Sequence, residues 1–591
     1  MARPKSSLMK DKSTPANTNS PRPRLHKMTI QNFRCIKAPV TIDLDDIVVL
    51  VGPNNVGKSS ILRAYEVVMN EGSNEGKLTI DDFPNRAIDP SALPEIELET
   101  VVYDEPGDEW IREHNGEKFV RERWIWDAPA AEPKRQGFDV SQGCWSDKRP
   151  YGAANVANSR RPKPYKLSAF VTPEETSKQI AELLLQAAKD KFKNLQKGTQ
   201  SEDADGDSFK ELLKRVKELQ DKLIETSAEQ IDAVEKTLTG LISEIFPNHE
   251  VKFDTTMEED LEKTVSLFKG TPSLLMGPKG GFQSKLENQG SGAQRTLMWS
   301  ALRMLADYSA SSGRPRVLLL DEPEICLHPG LVREACRTLY DLPQGGKWQV
   351  MLTTHSPVFI DFSRNNTTIV RVELENNTVK GTTVFRPERL QLSDDDKELL
   401  KLLNCCDPYV AEFFFGGNVI VVEGDTEYSA LRYVISKHPE RYRNLHVIRA
   451  RGKATIVALI KILNQFGSSY AVLHDSDTPT AERDGKKIKN AAWTNNTLIK
   501  QAIAGKSAGS AVRLLVSVPN FEQAYLASNT SKDKPYAAVL ALTKDSDRLN
   551  AMTKLVDALI DHTAVPPEGC IDWTEMEIGS LQEIVDAKIG S

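Results

Sequence analysis

The sequence lacks the features that would mark a membrane, secreted or zinc-binding protein. Its 591 residues contain no run of the ~18 apolar residues that a transmembrane helix requires. The start, Met1–Lys5, has no apolar stretch of the kind found in a secretory signal. The seven cysteines are scattered without the paired spacing of a zinc site or a disulfide framework. These absences predict a cytoplasmic protein with free thiols and no membrane partner.

A net basic charge is also missing. The formal net charge is −7 at pH 7, so the whole chain does not resemble a nucleic-acid-binding protein. Local basic patches can still bind phosphates, and clustered carboxylates can bind metals. Hydrophobic residues make up 39% of the sequence and charged residues 27%, a balance typical of folded domains. The length predicts about two to four such domains.

The pattern of apolar residues divides the chain into two α/β regions. In the second region, strand-like runs alternate with helical stretches, which predicts a parallel sheet. The predicted divisions are a disordered basic arm (1–26), the first α/β region in two parts (27–172 and 248–390), a helical insertion between them (173–247), a linker (391–414) and the second α/β region (415–591).

Two apolar seams run through the helical insertion. The first consists of Phe209, Leu212, Val216, Leu219 and Leu223, and the second of Ile231, Val234, Leu238, Leu241 and Ile245. Narrow seams with alternating spacings of three and four residues, flanked by Lys and Glu, are typical of antiparallel helices or a coiled-coil hairpin. Two interpretations stay open, namely a dimerisation arm and an insertion that packs on its own domain.

A glycine-rich loop follows the continuous apolar run Ile47–Val51. The run predicts a strand buried on both faces, and a helix is predicted after the loop. Glycines let backbone N–H groups converge on phosphate oxygens at a helix N-terminus. Lys58 would neutralise the outer phosphates of a nucleotide, and the Ser59 hydroxyl would bind Mg²⁺. The predicted nucleotide-binding residues of this loop are Gly52, Asn54, Asn55, Gly57, Lys58, Ser59 and Ser60.

A second buried-type strand, Val317–Leu320, ends in two acids. Asp321 is predicted to hold Mg²⁺ through water, and Glu322 is placed to polarise the water that attacks the nucleotide. His355 follows a third apolar run and could sense the γ-phosphate. The sequence therefore predicts a nucleotide hydrolase site at the ends of three strands.

These motifs resemble the ABC-type ATPases of the group that includes the structural-maintenance-of-chromosomes proteins and their DNA-repair relatives. Ile30–Arg34 is similar to the first strand and turn of that group. Gly290–Arg295 stands where the group has its signature motif, although it departs from the usual Leu-Ser-Gly-Gly-Gln pattern. The resemblance implies that Ser291 contributes to an ATP site completed by a second head. Since the chain has only one phosphate loop, it implies at least a homodimer.

Four acidic residues follow two strand-like runs of the second α/β region. Glu423 ends one run, and Glu427 lies four positions later, where it can face the same side. Asp475 and Asp477 follow the other run, and alternate positions past a strand end point the same way. Close carboxylates repel one another unless cations lie between them, and their oxygens suit Mg²⁺ or Mn²⁺. Two such ions could activate a water and stabilise the leaving oxygen of a phosphodiester.

Two further candidates come after the strand-like run Val512–Val518. Glu522 offers another carboxylate, and Lys534 offers a cation for the transition-state phosphate. The alternative is that both are ordinary surface residues.

The carboxylate pattern resembles the Toprim domain of topoisomerases, primases and certain nucleases. An ABC-type ATPase followed by a Toprim domain resembles the overcoming-lysogenization-defect (OLD) family of nucleases, over nearly the whole chain from Met28. The resemblance implies an α/β fold in which the ATPase domain carries a helical dimerisation insertion and precedes a Toprim α/β domain. It implies catalytic roles for Glu423, Asp475, Asp477, Lys534 and Glu322, and metal binding by Glu423, Glu427, Asp475, Asp477, Glu522, Ser59 and Asp321.

The same resemblance implies ATP and Mg²⁺ or Mn²⁺ as cofactors, duplex DNA as the substrate, and a dimer or tetramer of the chain. Members of the family include anti-phage nucleases of Gabija-type systems and retron-associated effectors, so a defence-system protein or a retron RNA or DNA is a further implied partner. We expect an ATP-regulated, metal-dependent DNA endonuclease that nicks or cuts duplex DNA.

Two alternatives to the endonuclease stay open. One is a DNA-repair ATPase whose Toprim domain only binds DNA, against which the intact carboxylate set argues. The other is a topoisomerase or a primase. A topoisomerase needs a nucleophilic Tyr on a separate DNA-gate domain, and a primase usually has a zinc module; neither is evident in the sequence.

Overall fold

The structure is a computed structural model. It describes residues 23–103, 106–168, 232–243, 248–254, 273–308, 315–325, 327–346, 348–362, 364–386, 392–465, 467–483, 486–526 and 533–589, with a few positions between 173 and 184 and residue 246. None of the helices in these ranges has the length and apolar character needed to cross a bilayer.

Strands and helices alternate most regularly in the second half of the chain. In chain order the strands are β1 (Arg24–Gln31), β2 (Val40–Asp43), β3 (Ile47–Val51), β4 (Glu95–Val102), β5 (Arg112–His114), β6 (Glu117–Ile125), β7 (Lys134–Asp139), β8 (Cys144–Ser146), β9 (Lys163–Ser168), β10 (His249–Asp254), β11 (Ser273–Pro278), β12 (Ser284–Lys285), β13 (Arg316–Asp321), β14 (Trp348–Thr353), β15 (Thr367–Glu375), β16 (Thr378–Phe385), β17 (Asn418–Val422), β18 (Leu445–Arg449), β19 (Tyr470–Asp475), β20 (Thr480–Arg483), β21 (Lys486–Lys489), β22 (Val512–Ser517) and β23 (Cys570–Asp572). The labelled helices are α1 (Lys58–Met69), α2 (Ala154–Arg160), α3 (Ser291–Tyr308), α4 (Pro329–Asp341), α5 (Asp394–Cys406), α6 (Asp425–Lys437), α7 (Lys453–Gln465), α8 (Ala491–Ala504), α9 (Lys534–Lys544), α10 (Ser546–Ile560) and α11 (Ser580–Ile589).

An antiparallel sheet is formed by strands between residues 24 and 146. Its strand order is β2-β1-β4-β6-β7-β8, with β5 paired to β6. Its first strand begins at Arg24, so the prediction that the disordered arm extends to residue 26 is wrong at its end. The side chain of Gln349 accepts from the Leu25 N–H over 2.7 Å and donates to the Leu25 carbonyl over 3.0 Å. These bonds anchor the strand. The rest of the predicted arm, residues 1–22, lies outside the described residues.

The nucleotide-binding motifs lie on a second sheet, with the order β16-β15-β3-β14-β13-β9. All of its pairs are parallel except β15 with β16. The strand β3 is buried at every position. Val48 and Leu50 face one apolar core, and Ile47, Val49 and Val51 face the other. The predicted two-sided burial of β3 is confirmed, and it places the glycine-rich loop at the carboxyl edge of the sheet.

The second α/β region forms a sheet with the order β18-β17-β19-β22-β23. Its first three pairings are parallel, and β23 adds an antiparallel edge. This confirms the parallel sheet that the sequence predicts. The carboxyl ends of β17, β18, β19 and β22 therefore meet at one edge, where the acidic candidates lie.

The segment predicted to be a linker is a structured part of the fold. It contains α5 and a 3-10 helical segment, Pro408–Phe415. Leu400, Phe413 and Phe414 are buried in the same core that receives residues from both β3 and β17. The polar residues that suggested a linker cap α5: the Ser393 hydroxyl accepts from Asp396 N–H, and the Asp396 carboxylate accepts from Ser393 N–H. The expectation of a linker is corrected, because the two sheets are joined by packed apolar residues.

The helical insertion is described only in part. The seam from Phe209 to Leu223 lies outside the described residues. The second seam is described in part, as a helix at 232–243. Val234, Leu238 and Ile242 of this helix are buried in the apolar core that also contains residues of β3. This helix therefore packs on its own domain. Whether the insertion also forms a dimer stays a prediction.

Candidate functional sites

The glycine-rich loop is shaped by two glycines with positive φ. Gly57 has φ 103° and precedes the first residue of α1. Gly52 has φ 137°, and a Cβ built on it would lie 2.0 Å from the carbonyl oxygen of Val372 in the neighbouring strand β15. No side chain fits between the loop and that strand. Asn54 and Asn55 are exposed along the loop, as expected for residues that face a ligand.

Lys58 lies at the first position of α1 and is only 5% exposed. Its ammonium group donates to the carbonyls of Gly52 over 2.9 Å and Pro53 over 2.7 Å, so the side chain folds back along the loop. Burial lowers the pKa of Lys58, and the charges of Glu322 and Asp321 oppose that effect. The positive charge is thus held beside the loop and the two acids.

Asp321 joins the loop to the neighbouring strands. Its Oδ1 accepts from the Ser59 hydroxyl over 2.9 Å and from the Thr353 hydroxyl over 2.6 Å. The structure therefore brings together the two residues predicted to hold Mg²⁺. Ser60, also predicted to bind nucleotide, is buried instead, and its hydroxyl lies 3.9 Å from the Cys35 sulfur.

Glu322 and His355 lie side by side at the same edge. The carboxylate of Glu322 is 3.4 Å from His355 Nε2. Glu322 has φ 48°, and its N–H donates to the carbonyl and hydroxyl of Thr353. Burial lowers the pKa of His355, and the Lys58 charge acts in the same direction. A neutral imidazole is thus favoured beside the acid.

Glu324 is a neighbour that the sequence analysis did not single out. Its carboxylate accepts from the His355 N–H over 2.6 Å and so fixes the backbone of that residue. Burial raises the pKa of Glu324. Its position two residues after Glu322 was the available signal.

Ser291 begins α3 at an exposed position. The side chain of Gln294 donates to the carbonyls of Leu286, Glu287 and Gln289 and so fixes the turn before the helix. Within the described ranges, no hydrogen bond joins Ser291 to the glycine-rich loop of its own chain. The role predicted for Ser291 at the ATP site of a second head stays a prediction.

In the second α/β region, Glu423 and Asp475 meet at the ends of adjacent strands. The Asp475 N–H donates to Glu423 Oε2 over 3.1 Å, and Asp475 Oδ1 accepts from the Phe521 N–H over 2.8 Å. Burial raises the pKa of both carboxyl groups. For Asp475 the negative charges of Glu427 and Glu423 add to that effect.

Glu427 is in the first turn of α6 and is 5% exposed. Burial raises its pKa to about 7, and the nearby charges of Glu423 and Glu522 contribute. The predicted convergence of Glu427 with Glu423 is therefore present in the structure. Such a group is protonated more readily than an ordinary glutamate unless a cation lies beside it.

Glu522 and Lys534 also belong to this edge. The Lys534 ammonium is 3.0 Å from Glu522 Oε1, and its side chain is 51% exposed. The hydroxyl of Thr426, the residue before Glu427, donates to Glu522 over 3.4 Å. The structure thus places both candidates at the sheet edge where Glu423, Glu427, Asp475 and Asp477 lie, called the acidic edge below.

Asp477 is paired with a residue that the sequence analysis missed. Its carboxylate forms a hydrogen-bonded ion pair with Lys453, whose side chain is 2% exposed. Lys453 begins α7, directly after the turn that follows β18. The only signal in the sequence was a lysine after the strand end in Arg451-Gly452-Lys453.

The donor chemistry of this edge fits a hard divalent cation. Its carboxylates belong to Glu423, Glu427, Asp475, Asp477 and Glu522. Beside burial, the negative charges of this group raise the pKa of Glu423, Glu427 and Asp475, an effect that a bound cation would reverse. In the side-chain positions of the described residues, no group of three or more His, Cys, Asp or Glu is already arranged around a common metal position.

Two family descriptions match the chain. "AAA ATPase domain" matches residues 24–112 and 172–360, and "Overcoming lysogenization defect protein-like, TOPRIM domain" matches residues 414–477. The second match includes Glu423, Glu427, Asp475 and Asp477 and ends at the last of them.

Curated relatives match most of the chain. The Old nuclease of Escherichia phage P2 is 22% identical over 484 residues, which cover 77% of each chain. The OLD nuclease of Thermus scotoductus (strain ATCC 700910 / SA-01) is 23% identical over 579 residues, covering 90% of this chain and 98% of that protein. The similarity thus extends through both α/β regions.

Similar solved structures include an Smc head bound to the C-terminal winged-helix domain of ScpA and the SMC head domain from Thermotoga maritima. The first has a TM-score of 0.39 and 14% identity and covers 62% of this chain and 99% of that chain. The second has a TM-score of 0.32 and 15% identity and covers 61% of this chain and 99% of that chain. These likenesses are distant.

Proposed function

We propose, from the premise that this chain belongs to the overcoming-lysogenization-defect family, with an ATPase domain followed by a TOPRIM domain, that it is a divalent-metal-dependent DNA endonuclease controlled by ATP. The observation that carries the proposal is the acidic edge of the sheet that contains β17 and β19. Three separate segments bring Glu423, Glu427, Asp475, Asp477 and Glu522 to it. A purely structural sheet edge gives no reason to gather so many like charges together.

The residues of the acidic edge have separate tasks in this proposal. Glu423, Glu427, Asp475, Asp477 and Glu522 would hold Mg²⁺ or Mn²⁺. When bound, such ions activate a water and stabilise the leaving oxygen of a phosphodiester. Lys534, at half exposure beside Glu522, reaches solvent at the point where a phosphate would approach and can offset its developing charge.

The ATPase edge supports nucleotide binding and hydrolysis. Lys58 contacts the outer phosphates, and Ser59 with Asp321 holds the Mg²⁺ that accompanies them. Glu322 would polarise the attacking water, because its carboxylate lies at these strand ends, 3.4 Å from the His355 imidazole. The hydrogen bond from the His355 N–H to the Glu324 carboxylate keeps His355 in place.

A continuous set of contacts supports control of one site by the other. Gly52 rests directly against the carbonyl of Val372. The preceding residue, Arg371, donates to the carbonyls of Phe414 and Phe413, both over 2.9 Å. A movement of the phosphate loop would therefore press on the strand that holds the 3-10 segment Pro408–Phe415.

The same set of contacts continues to the acidic edge. Asp407 stands immediately before the 3-10 segment, and Arg449 is 3.2 Å from its carboxylate. The other end of the Arg449 guanidinium donates to Asp425 over 2.7 Å. Asp425 lies between Glu423 and Glu427 in sequence, so this ion pair bears on the loop that carries both acids.

Two finer parts of the proposal rest on the family. We infer a homodimer or larger homo-oligomer, because Ser291 is exposed at a helix start where a second head can reach it. An anti-phage defence role, with or without a defence-system partner, is inferred from the family resemblance. Plaque counts on cells that carry the parent or an Asp475→Asn gene test it; equal phage yields would remove the defence role without touching the nuclease.

Plasmid cleavage tests the proposed activity. Purified protein is stripped of metal with a chelator and incubated with supercoiled plasmid, with Mg²⁺ or Mn²⁺ restored in a dilution series. We expect relaxed or linear product only after metal is restored. Intact plasmid at every metal concentration, with DNA retained in a mobility-shift assay, would support a TOPRIM domain that only binds DNA.

A further inference from the structure

Lys453 is a buried lysine in the acidic edge of the sheet that contains β17 and β19. Its side chain is 2% exposed, whereas lysines are rarely buried unless their charge is paired. The turn before it is tied to the edge, since the Gly452 N–H donates to the Glu423 carbonyl over 3.0 Å. Gly452 has φ 133°, a conformation that favours glycine, so the turn is built to deliver the next residue inward.

The ammonium group of Lys453 has a defined place among the acids. It donates to Asp477 Oδ2 in a hydrogen-bonded ion pair. Burial raises the pKa of Glu423, and the strongest opposing influence is the positive charge of Lys453. The two acids follow the ends of different strands, β17 and β19, so one cation acts on both sides of the cluster.

Lys534 differs from Lys453 in a way that separates their roles. Its side chain is 51% exposed and pairs with Glu522 at the rim, so it can rotate toward a substrate. The buried Lys453 has no comparable freedom, because its ion pair and its burial both fix it. Its charge therefore remains in the cluster whether or not a metal is bound.

We propose that Lys453 is a positioning residue that fixes Asp477 and acts as a resident cation of the acidic edge, holding the carboxylates together before metal binds and weakening their affinity for divalent metal. This inference rests on the proposed metal-dependent function. A fixed ammonium repels a divalent ion a few ångströms away, and this repulsion is strong where water is excluded. At the same time, the pairing presents Asp477 in one orientation, which a metal-bound reaction needs.

Mn²⁺ binding to the nucleotide-free, full-length protein tests the proposal without relying on cleavage. Electron paramagnetic resonance or calorimetry gives the Kd. Lys453→Met should bind Mn²⁺ about tenfold more tightly than the parent, and Mn²⁺ should raise its Tm by more than it raises the parent's. Cleavage at saturating Mn²⁺ should nevertheless fall, because Asp477 is no longer held.

Two single substitutions are the controls. Lys453→Arg keeps the charge and should retain a Kd within about twofold of the parent. Lys461→Met removes a lysine from the same helix, where it pairs with Asp396 away from the acidic edge, and should leave Mn²⁺ affinity unchanged. A folded Lys453→Met protein that binds Mn²⁺ with the parental Kd would overturn the proposal.

A second pair of variants covers the case in which Lys453→Met does not fold. Lys453→Met combined with Asp477→Asn removes both members of the ion pair and leaves no unpaired buried charge. It should bind Mn²⁺ more tightly than Asp477→Asn alone, and equal affinities would contradict the inference. Glu423→Gln separates this failure from that of the metal site: if Glu423→Gln leaves Mn²⁺ affinity at the parental value, the proposed site itself is wrong.

Discussion

The Ser59 hydroxyl donates to Asp321 Oδ1 over 2.9 Å, although 262 positions separate the two residues in sequence. The contact joins the two parts of the ATPase domain that lie on either side of the helical insertion. It depends on the parallel pairing of β14 with both β3 and β13, which puts their carboxyl ends at one edge. The geometry of the ATP site therefore depends on how these strands are paired.

Substitutions of Lys58 and Glu322 should separate ATP binding from ATP hydrolysis. Lys58→Ala removes the charge beside the outer phosphates and should weaken ATP binding by about tenfold or more. Glu322→Gln should keep ATP bound and slow hydrolysis by about 100-fold, since an amide cannot polarise water as a carboxylate does. Nucleotide-binding fluorescence and phosphate release measure the two effects. Parental hydrolysis by Glu322→Gln would remove Glu322 from the water-polarising role.

Arg449 should carry the effect of ATP on DNA cutting. Arg449→Met removes the ion pairs to Asp407 and Asp425, so we expect ATP to lose its influence on the nicking rate, while ATP binding and nicking without ATP persist. Arg441→Met is the matched control, because Arg441 pairs with Asp557 elsewhere in the same domain. Rates are compared at one fixed free Mg²⁺, since ATP also chelates the metal. A parental ATP response in Arg449→Met would break the proposed connection.

The stability of the metal-free protein should depend on pH because of the acidic edge. Burial raises the pKa of Glu427 to about 7 in the folded protein, above its value in the unfolded chain, so the folded state binds more protons in the interval between. Stability should therefore fall as pH rises from about 4.5 to about 7, by at most about 1.4 kcal/mol per pH unit from this group.

Urea unfolding of the metal-free parent and Glu427→Gln measures that slope. The glutamine variant should lose less stability than the parent between pH 5 and pH 7, and saturating Mn²⁺ should narrow the difference. Parallel pH profiles in the absence of metal would show that Glu427 does not carry an elevated pKa.

The insertion offers a test of assembly at Leu219. If the first seam meets a second chain, Leu219→Glu should lower the mass seen by light scattering at a fixed concentration. Leu238 does not serve this purpose, because it is fully buried in its own chain's core; Leu238→Glu should instead unfold the ATPase domain. An unchanged mass for a folded Leu219→Glu protein would favour an internal hairpin.

Much of the fold and both sites could be predicted because their signals are local. The apolar runs at β3, β13, β17, β19 and β22 are each followed by candidate site residues. Parallel pairing brings the carboxyl ends of the strands in each sheet together. Lys453 and Arg449 could not be found in this way. Their importance comes from partners 24 and 42 positions distant, and a lone lysine or arginine after a strand gives no local signal. The α5 segment was missed because its first-turn acids, which cap the helix, read as a polar linker.

The nicking activity of Asp475→Asn is the most direct test of the central claim that the acidic edge is a metal-dependent nuclease site. Asp557→Asn is its control, an acid of the same domain that pairs with Arg441 away from the edge. With plasmid and Mg²⁺ or Mn²⁺, the parent and the control should produce relaxed or linear DNA. Asp475→Asn should be slower by about 100-fold or more, with parental ATP binding. Parental nicking by folded Asp475→Asn would contradict the account.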